Sequence, residues 1–372
     1  MTNMTSTAAR LLKAISASKA TALAAAVATS VMLAACGGGS EGALDAAAKS
    51  AAVAASDASA LPDSTAKAAT TGSIFYGMNG HISNGGAYDV IGAATQLAQL
   101  KDLGVKIYRN DVYSQASANM VAKYAAVMAA GGVTMYPVIL VGSNFNTEQD
   151  AYNAGYALGK STAQSYPYQY FEVGNEMEVK SLNGNVDGVY AQHYKTQPFT
   201  IARGAIRGMI AGVKAVNPSA KIIVGGTWLH YGFFQMLASG SQPDGTTGHP
   251  AVNWDITSWH WYSNQGDMTN ACGGTGCQDL LGTLQKMGKP IWINEFGVRP
   301  EYGTSNQIAA YLTGSKMMTQ FYNVASKYNV QSIQAFELYD DSEGAYGLLK
   351  ADGNSQKGGY YAFKDFIRNH PK

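Results

Sequence analysis

Two glutamates stand where an apolar run stops. Glu176 follows Tyr168, Gln169, Tyr170, Phe171, Glu172, Val173, Gly174 and Asn175, and Glu295 follows Pro290, Ile291, Trp292, Ile293 and Asn294. Aromatic and β-branched residues of this kind pack well on a buried pleated surface. Glycine at 174 lets a ligand or another backbone come close. Two carboxyl groups delivered to one place by two strand ends suit the cleavage of an acetal: one protonates the departing oxygen and the other attacks or stabilises the anomeric carbon. A single Asn-Glu pair at a strand end more often begins a loop or caps a helix, so the weight rests on the two endings together.

The elements that must position these residues follow from the hydrophobic pattern. From about residue 73, strand-like runs at 74–79, 106–110, 134–141, 169–175, 221–226, 255–260, 290–294 and 332–337 alternate with helical patterns at 88–103, 116–130, 147–165, 200–216, 231–238, 278–287, 305–328 and 359–369. Eight strand-helix rounds predict an α/β chain folded as a (β/α)8 TIM barrel. A doubly wound open sheet ranks lower, because no glycine-rich dinucleotide or phosphate loop follows any strand. Barrels carry their reacting groups at the C-terminal ends of the strands, and these ends are consistently polar here. They supply Asn79 and His81, then Arg109, Asn110 and Asp111, then Asn144, Thr227 and Trp228, His260 and Tyr262, and last Glu337, Tyr339, Asp340 and Asp341.

As a set, the two glutamate endings resemble the acid/base and nucleophile strands of clan A glycoside hydrolases, in which Asn-Glu closes strand four and Glu closes strand seven. The resemblance implies a retaining glycosidase with Glu176 as acid/base and Glu295 as nucleophile. It makes Arg109 the arginine that contacts the nucleophile, Asn175 the asparagine on the sugar 2-hydroxyl, and Tyr262 a hydrogen-bond donor to Glu295. The triplet His260, Trp261, Tyr262 resembles the strand-six histidine and tyrosine. The segment from Phe336 to Lys350, with Asp352, Gly353 and the helix from Gly359, resembles the closing part of family 39 and related members. The match runs from about Ser73 to His370. Gly174 stands where a Trp is frequent and Met177 where Pro often follows the acid, so the clan is firmer than the family. The expected substrate contacts are Arg109, Asn175, His260, Tyr262, Asn79, His81, Trp228 and Tyr339.

The implied roles demand different ionisation. Glu176 must start protonated, which calls for a pKa raised by its surroundings and by Glu295, whereas Glu295 must stay ionised beside Arg109 and Tyr262. Glu172, on the strand itself, reads as an interior ion paired with a basic or polar neighbour. Asp340, Asp341 and Glu343 read as a solvated or substrate-contacting loop, without the ligand spacing of a calcium site. No metal and no cofactor is expected, since only His81 and His260 are candidate ligands at strand ends. The competing reading is a non-catalytic carbohydrate-binding barrel, because fold does not determine function.

The 372 residues are 46% hydrophobic and 14% charged, with a net charge of +1 and no basic stripe, which argues against nucleic acid as a partner. The expected partner is a polysaccharide or oligosaccharide, and 23 tyrosines and five tryptophans suit sugar faces as well as a core. Residues 1–35 read as an export signal: Arg10, Lys13 and Lys19 precede an apolar segment, residues 20–35, too short to span a bilayer. The ending Leu33, Ala34, Ala35, Cys36 resembles a bacterial lipobox, which implies a lipid on Cys36 and an envelope location, with Gly37 favouring the outer membrane; a plain secretory signal is the alternative. Residues 36–72 are Ala, Ser and Gly rich and read as a tether, reaching on the order of 30 Å if flexible. The barrel domain is 73–372, expected to be a monomer. In an oxidising compartment Cys272 and Cys277 are expected to pair.

Overall fold

The apolar runs form strands β1 (Tyr76–Gly80), β2 (Ile107–Val112), β3 (Thr134–Ile139), β4 (Tyr170–Val173), β5 (Lys221–Thr227), β6 (Ile256–Tyr262), β9 (Ile291–Gly297) and β10 (Val330–Ala335). A hairpin, β7 (Ala271–Gly273) and β8 (Gly276–Gln278), interrupts the series. These come from a computed structural model that describes residues 73–372. The export signal, Cys36 and the tether through residue 72 lie outside the described residues.

The eight long strands close into a parallel barrel in the order β1, β10, β9, β6, β5, β4, β3, β2, so the (β/α)8 TIM barrel is the fold. Helices return the chain outside it: α1 (Ala87–Val90), α2 (Ala93–Leu103), α3 (Gln115–Ala130), α4 (Glu148–Ser165), α5 (Thr196–Val216), α6 (Tyr231–Ser239), α7 (Leu280–Gln285), α8 (Ser305–Leu312), α9 (Met318–Tyr328) and α10 (Gly358–Asn369). Local chemistry fixes several starts. Ser114, Thr147 and Thr304 each accept a hydrogen bond from the backbone N–H three residues on, satisfying one otherwise orphaned donor at the helix end. Helices α4 and α5 pack backbone to backbone: a methyl group at Gly155 would stand 2.4 Å from Ala205 O, and one at Gly208 2.0 Å from Tyr152 O. Among the described residues no helix is long and apolar enough to cross a membrane.

Inside the barrel the side chains are layered. Ile107, Tyr136, Ile223, Ile256 and Trp292 form an apolar plug, and the next inward positions are polar. A bulge makes this possible on β9: Ser258 pairs with Trp292, but His260 pairs with Glu295, so β9 carries an extra residue there. Asn294 and Glu295, adjacent in sequence, therefore both reach the interior network.

The structure departs from the expected elements in several places. The single helix over 305–328 is two, α8 and α9, separated by a turn around Gly314 that strict periodicity conceals. The helix over 88–103 breaks at Gly92, and β6 runs on to include Tyr262. The Gly-rich loop around Cys272 and Cys277 is a two-stranded hairpin in which the two cysteines face each other and are joined by a disulfide.

Candidate active site

Arg109 organises the mouth of the barrel. It rises from β2 with 3% exposure, and burial of a guanidinium requires that its donors be matched. All three nitrogens are. Nε and Nη2 donate to the two oxygens of Glu172 on β4 at 2.6 and 3.1 Å, and Nη1 donates to Asn79 Oδ1 at 2.8 Å and to Glu295 Oε2 at 3.0 Å. Nη2 also reaches Asn175 Oδ1 at 2.7 Å. Glu172 accepts a further bond from Asn294 Nδ2 at 2.8 Å, and Asn79 donates to the carbonyls of Asn294 and Ala335 at 3.0 and 3.1 Å. Glu172 and Asn79 are thus interior supports for Arg109, and the Asn79 side chain, expected on a sugar, is engaged at both its oxygen and its nitrogen by the protein.

Glu295 sits at the end of this chain of contacts. Tyr262 donates to its Oε1 at 2.6 Å, so one oxygen faces a phenol and the other a guanidinium. Burial and the adjacent Glu295 charge push the Tyr262 phenol well above its ordinary range, which keeps it a donor. His260, on β6 and 1% exposed, stands between the two glutamates, with Nδ1 3.0 Å from Glu176 Oε1 and 3.4 Å from Glu295 Oε2. Donor atoms of Glu176, His260 and Glu295 all lie within 4.8 Å of one another. Glu176 itself follows Gly174, whose φ is 84°, and adopts φ 45°, a left-handed conformation unusual for a glutamate. The turn aims its carboxyl group back over the mouth.

The ionisation of Glu176 differs from the expectation. Burial raises its pKa, but the hydrogen bond and charge of His260, with His230 and Arg299 adding, outweigh burial and hold the carboxyl below its usual range. Burial lowers the His260 pKa, yet the charge of Glu295 and the bond to Glu176 leave it raised. The imidazole thus holds its proton more tightly, and the carboxyl less tightly, than each would in water.

A second constellation lies beside the first. His81 Nδ1 is 2.6 Å from Asp341 Oδ2 and 3.1 Å from Glu337 Oε2, and its Nε2 is 3.9 Å from Asp111. Tyr88 also donates to Glu337 Oε2, at 3.1 Å. Burial drives Glu337 up to about 8 and, with nearby Glu295, Asp111 and Asp341, Glu343 up to about 7. The donor atoms of His81, Glu337 and Asp341 also converge within 4.8 Å. In both constellations imidazole-carboxylate hydrogen bonds account for the convergence.

Trp228 is partly exposed at the end of β5, held at φ 48° with its carbonyl accepting from Trp259 Nε1 at 2.7 Å. Tyr339 is placed otherwise than expected. It is fully buried, packs on Tyr88 with ring centroids 4.9 Å apart, and donates to Gln99 of α2, so it belongs to the helix layer and touches no cleft. Two groups escaped the sequence reading. Glu178, buried beneath the mouth, accepts from Thr227 N at 2.9 Å and pairs with His230 at 3.3 Å. Arg299 lies 4.3 Å over the Tyr262 ring and donates to Tyr346 at 2.8 Å. Its position four residues after Glu295 was the available signal. A cavity of about 350 Å³ beside α4, lined by Tyr113, Val141, Phe145 and Leu158, involves none of these groups.

No protein-family model matches the chain, and no curated protein matches its sequence. Solved structures do. The virulence factor SghA from Agrobacterium tumefaciens, in complex with its substrate analogue salicin, superposes with a TM-score of 0.60 at 12% identity over 84% of this chain and 100% of that one. A family 1 β-glucosidase from Thermotoga maritima gives 0.54 at 12% identity over 80% and 98%, and the β-glycosidase BGL167 gives 0.56 at 12% over 82% and 98%. The barrel is shared with these proteins. At such identity the likeness carries the fold alone.

Proposed function

We propose that the protein is a retaining glycoside hydrolase acting by double displacement. Glu295 attacks the anomeric carbon, the bond to the leaving oxygen breaks, and Glu176 delivers the proton that oxygen takes up; water, deprotonated through Glu176, then releases the sugar from Glu295. The observation that carries the reading is the close approach of the two carboxyl groups, whose oxygens come within 4.8 Å through their shared neighbour His260. Retaining pairs stand about 5–5.5 Å apart, whereas inverting pairs leave about 6.5–9.5 Å for a water. Support also comes from the donors on Glu295: Arg109 and Tyr262 stabilise the ionised form that a nucleophile needs. Asn175, adjacent to Glu176 and fixed by Arg109, is suited to hold the sugar, and partly exposed Trp228 to stack on it.

The substrate in this reading is a polysaccharide or oligosaccharide of the cell envelope or its surroundings. The chain is exported, lipid-anchored through Cys36 and active as a monomer. Incubation with a 2-deoxy-2-fluoro glycoside carrying a good leaving group tests the mechanism: mass spectrometry of the digest should find the sugar on the peptide containing Glu295. A label on another residue, or inverted products by NMR, would overturn it. Cys36→Ser should move the protein from the membrane fraction to the soluble one without reducing hydrolysis; an unmodified Cys36 in the wild type would remove the anchor from the proposal.

A further inference from the structure

A general acid needs a proton to give, and the surroundings of Glu176 offer one neighbour that could supply it. Glu176 has one close cationic neighbour, His260 Nδ1 at 3.0 Å, on the same imidazole edge that lies 3.4 Å from Glu295 Oε2. The other ring nitrogen, Nε2, is buried without a hydrogen-bond partner, and its nearest charge is Glu172 Oε1 at 4.0 Å. The groups facing this ring come from every side of the mouth: Arg109 from β2, Glu172 and Glu176 from β4 and its end, Tyr262 from β6, Glu295 from β9. His230 after β5 and Arg299 after β9 act on it through Glu176. Arg109 is committed to Glu172 and Glu295, so the imidazole alone has a transferable proton in contact with Glu176.

We propose that His260 stores the acid proton and acts through Glu176, which relays it. This rests on the glycosidase reading above. In the first step Nδ1–H passes its proton across the 3.0 Å contact to Glu176 Oε1, and Glu176 passes it to the departing oxygen as Glu295 forms the bond to the anomeric carbon. His260 becomes neutral while Glu295 loses its charge as an ester, so the buried pair stays balanced. In the second step Glu176 takes a proton from the attacking water and returns it to Nδ1. The carbon–Glu295 bond breaks, the carboxylate charge reappears beside the imidazolium, and the cycle closes with no external acid. The device ties the proton to the nucleophile: it is held while Glu295 is ionised and released as that charge is consumed.

Two measurements test this. Imidazole NMR on the whole protein should find His260 titrating above an ordinary histidine, with the midpoint falling by at least one pH unit in Glu295→Gln and in Glu176→Gln; a His260 neutral at pH 6, or unmoved by both variants, overturns the proposal without reference to activity. The second compares phenyl and 2,4-dinitrophenyl β-glucosides, the latter needing little acid assistance. His260→Asn should lose at least 100-fold in kcat/KM on the phenyl glycoside and less than tenfold on the dinitrophenyl one, with the alkaline limb of the pH profile displaced. An equal loss on both substrates with an unchanged profile would mean that His260 only props the site. If the wild type cleaves neither glucoside nor any other aryl glycoside, the glycosidase reading fails instead, and the NMR titration alone decides where the proton sits.

Discussion

Two buried constellations, each with one imidazole among several carboxyl groups, lie side by side at the C-terminal end of the barrel and are neutralised differently. Around Arg109 the charges are matched by a permanent cation: the guanidinium spans Glu172 and Glu295, and His260 bridges Glu295 and Glu176. Around His81, which has Asp341, Glu337 and Asp111 nearby, the cation in contact with the acids is the imidazole, and Arg109 acts on Asp111 from the neighbouring network. The acids on the two sides are shifted in different directions. Glu176 is held below the usual carboxylate range despite its burial, whereas Glu337 is raised to about 8 and Glu343 to about 7. Where the hydrogen bond and charge of an imidazole outweigh burial the carboxyl is held low, as at Glu176 beside His260 and at Asp341 beside His81, and where burial dominates it is raised, as at Glu337. Two networks built from the same residue types can thus lie side by side and titrate differently.

The largest effects come from breaking the first constellation at its carboxyl groups. Glu176→Gln should reduce turnover of an unactivated glycoside by about 10²–10⁴, the range of a general acid/base, and Glu295→Gln should reduce it at least as far because no ester can form. Circular dichroism should report an unchanged fold for both. Near-wild-type turnover in either variant would remove that residue from its role. Next in size is the permanent cation. Arg109→Met leaves Glu172 buried and unpaired, and breaking such a pair costs about 3–5 kcal/mol; the urea midpoint should fall accordingly. A midpoint equal to wild type would mean that the guanidinium does not balance these acids.

A smaller effect, in pH dependence, sharpens the contrast from the second constellation. Glu337 titrates near 8 in the folded chain against an ordinary 4.5, so between those values the folded state holds a proton that the unfolded state has lost. Stability therefore falls as pH rises through that window. The raised pKa of His81 acts in the same sense at higher pH, since the native state again keeps its proton longer. Glu337→Gln removes the first contribution, and its thermal midpoint should decline less than that of the wild type between pH 5 and 8. Parallel declines in both proteins would mean that Glu337 is not the group that holds the proton.

How far these arrangements could be read in the sequence depends on their range. The barrel was legible because strand and helix periods differ and alternate eight times, and Glu176, Glu295, Arg109, His260 and Tyr262 were legible because each ends or lies near the end of a run. The bulge in β9 was not, since one extra residue leaves the pattern Ile, Trp, Ile, Asn, Glu unchanged while turning Asn294 inward. The pairing of His260 with Glu176 was not legible either. It depends on a 3.0 Å contact between β6 and the end of β4, a distance that no local pattern encodes. The role of Asn79 as a support for Arg109 has the same origin, because its partners Arg109, Asn294 and Ala335 come from three different strands.

The smallest predicted effect concerns the edge of the second constellation. Tyr339 ends strand-eight chemistry in the sequence, yet its ring packs on Tyr88 and its hydroxyl reaches Gln99 on α2, while its backbone N–H donates to the Tyr88 oxygen that also contacts Glu337. Tyr339→Phe keeps the ring and the backbone bond and removes one buried hydroxyl donor. The expected loss is about 1 kcal/mol, the net worth of a buried hydrogen bond, with the unpaired Gln99 oxygen adding to it. KM for any glycoside should not change, because the removed hydroxyl points into the helix layer. Tyr88→Phe is the sharper companion: it takes a donor from Glu337 Oε2 and should push the Glu337 midpoint higher, moving the pH window while Tyr339→Phe leaves it in place. A raised KM in Tyr339→Phe would return Tyr339 to the cleft.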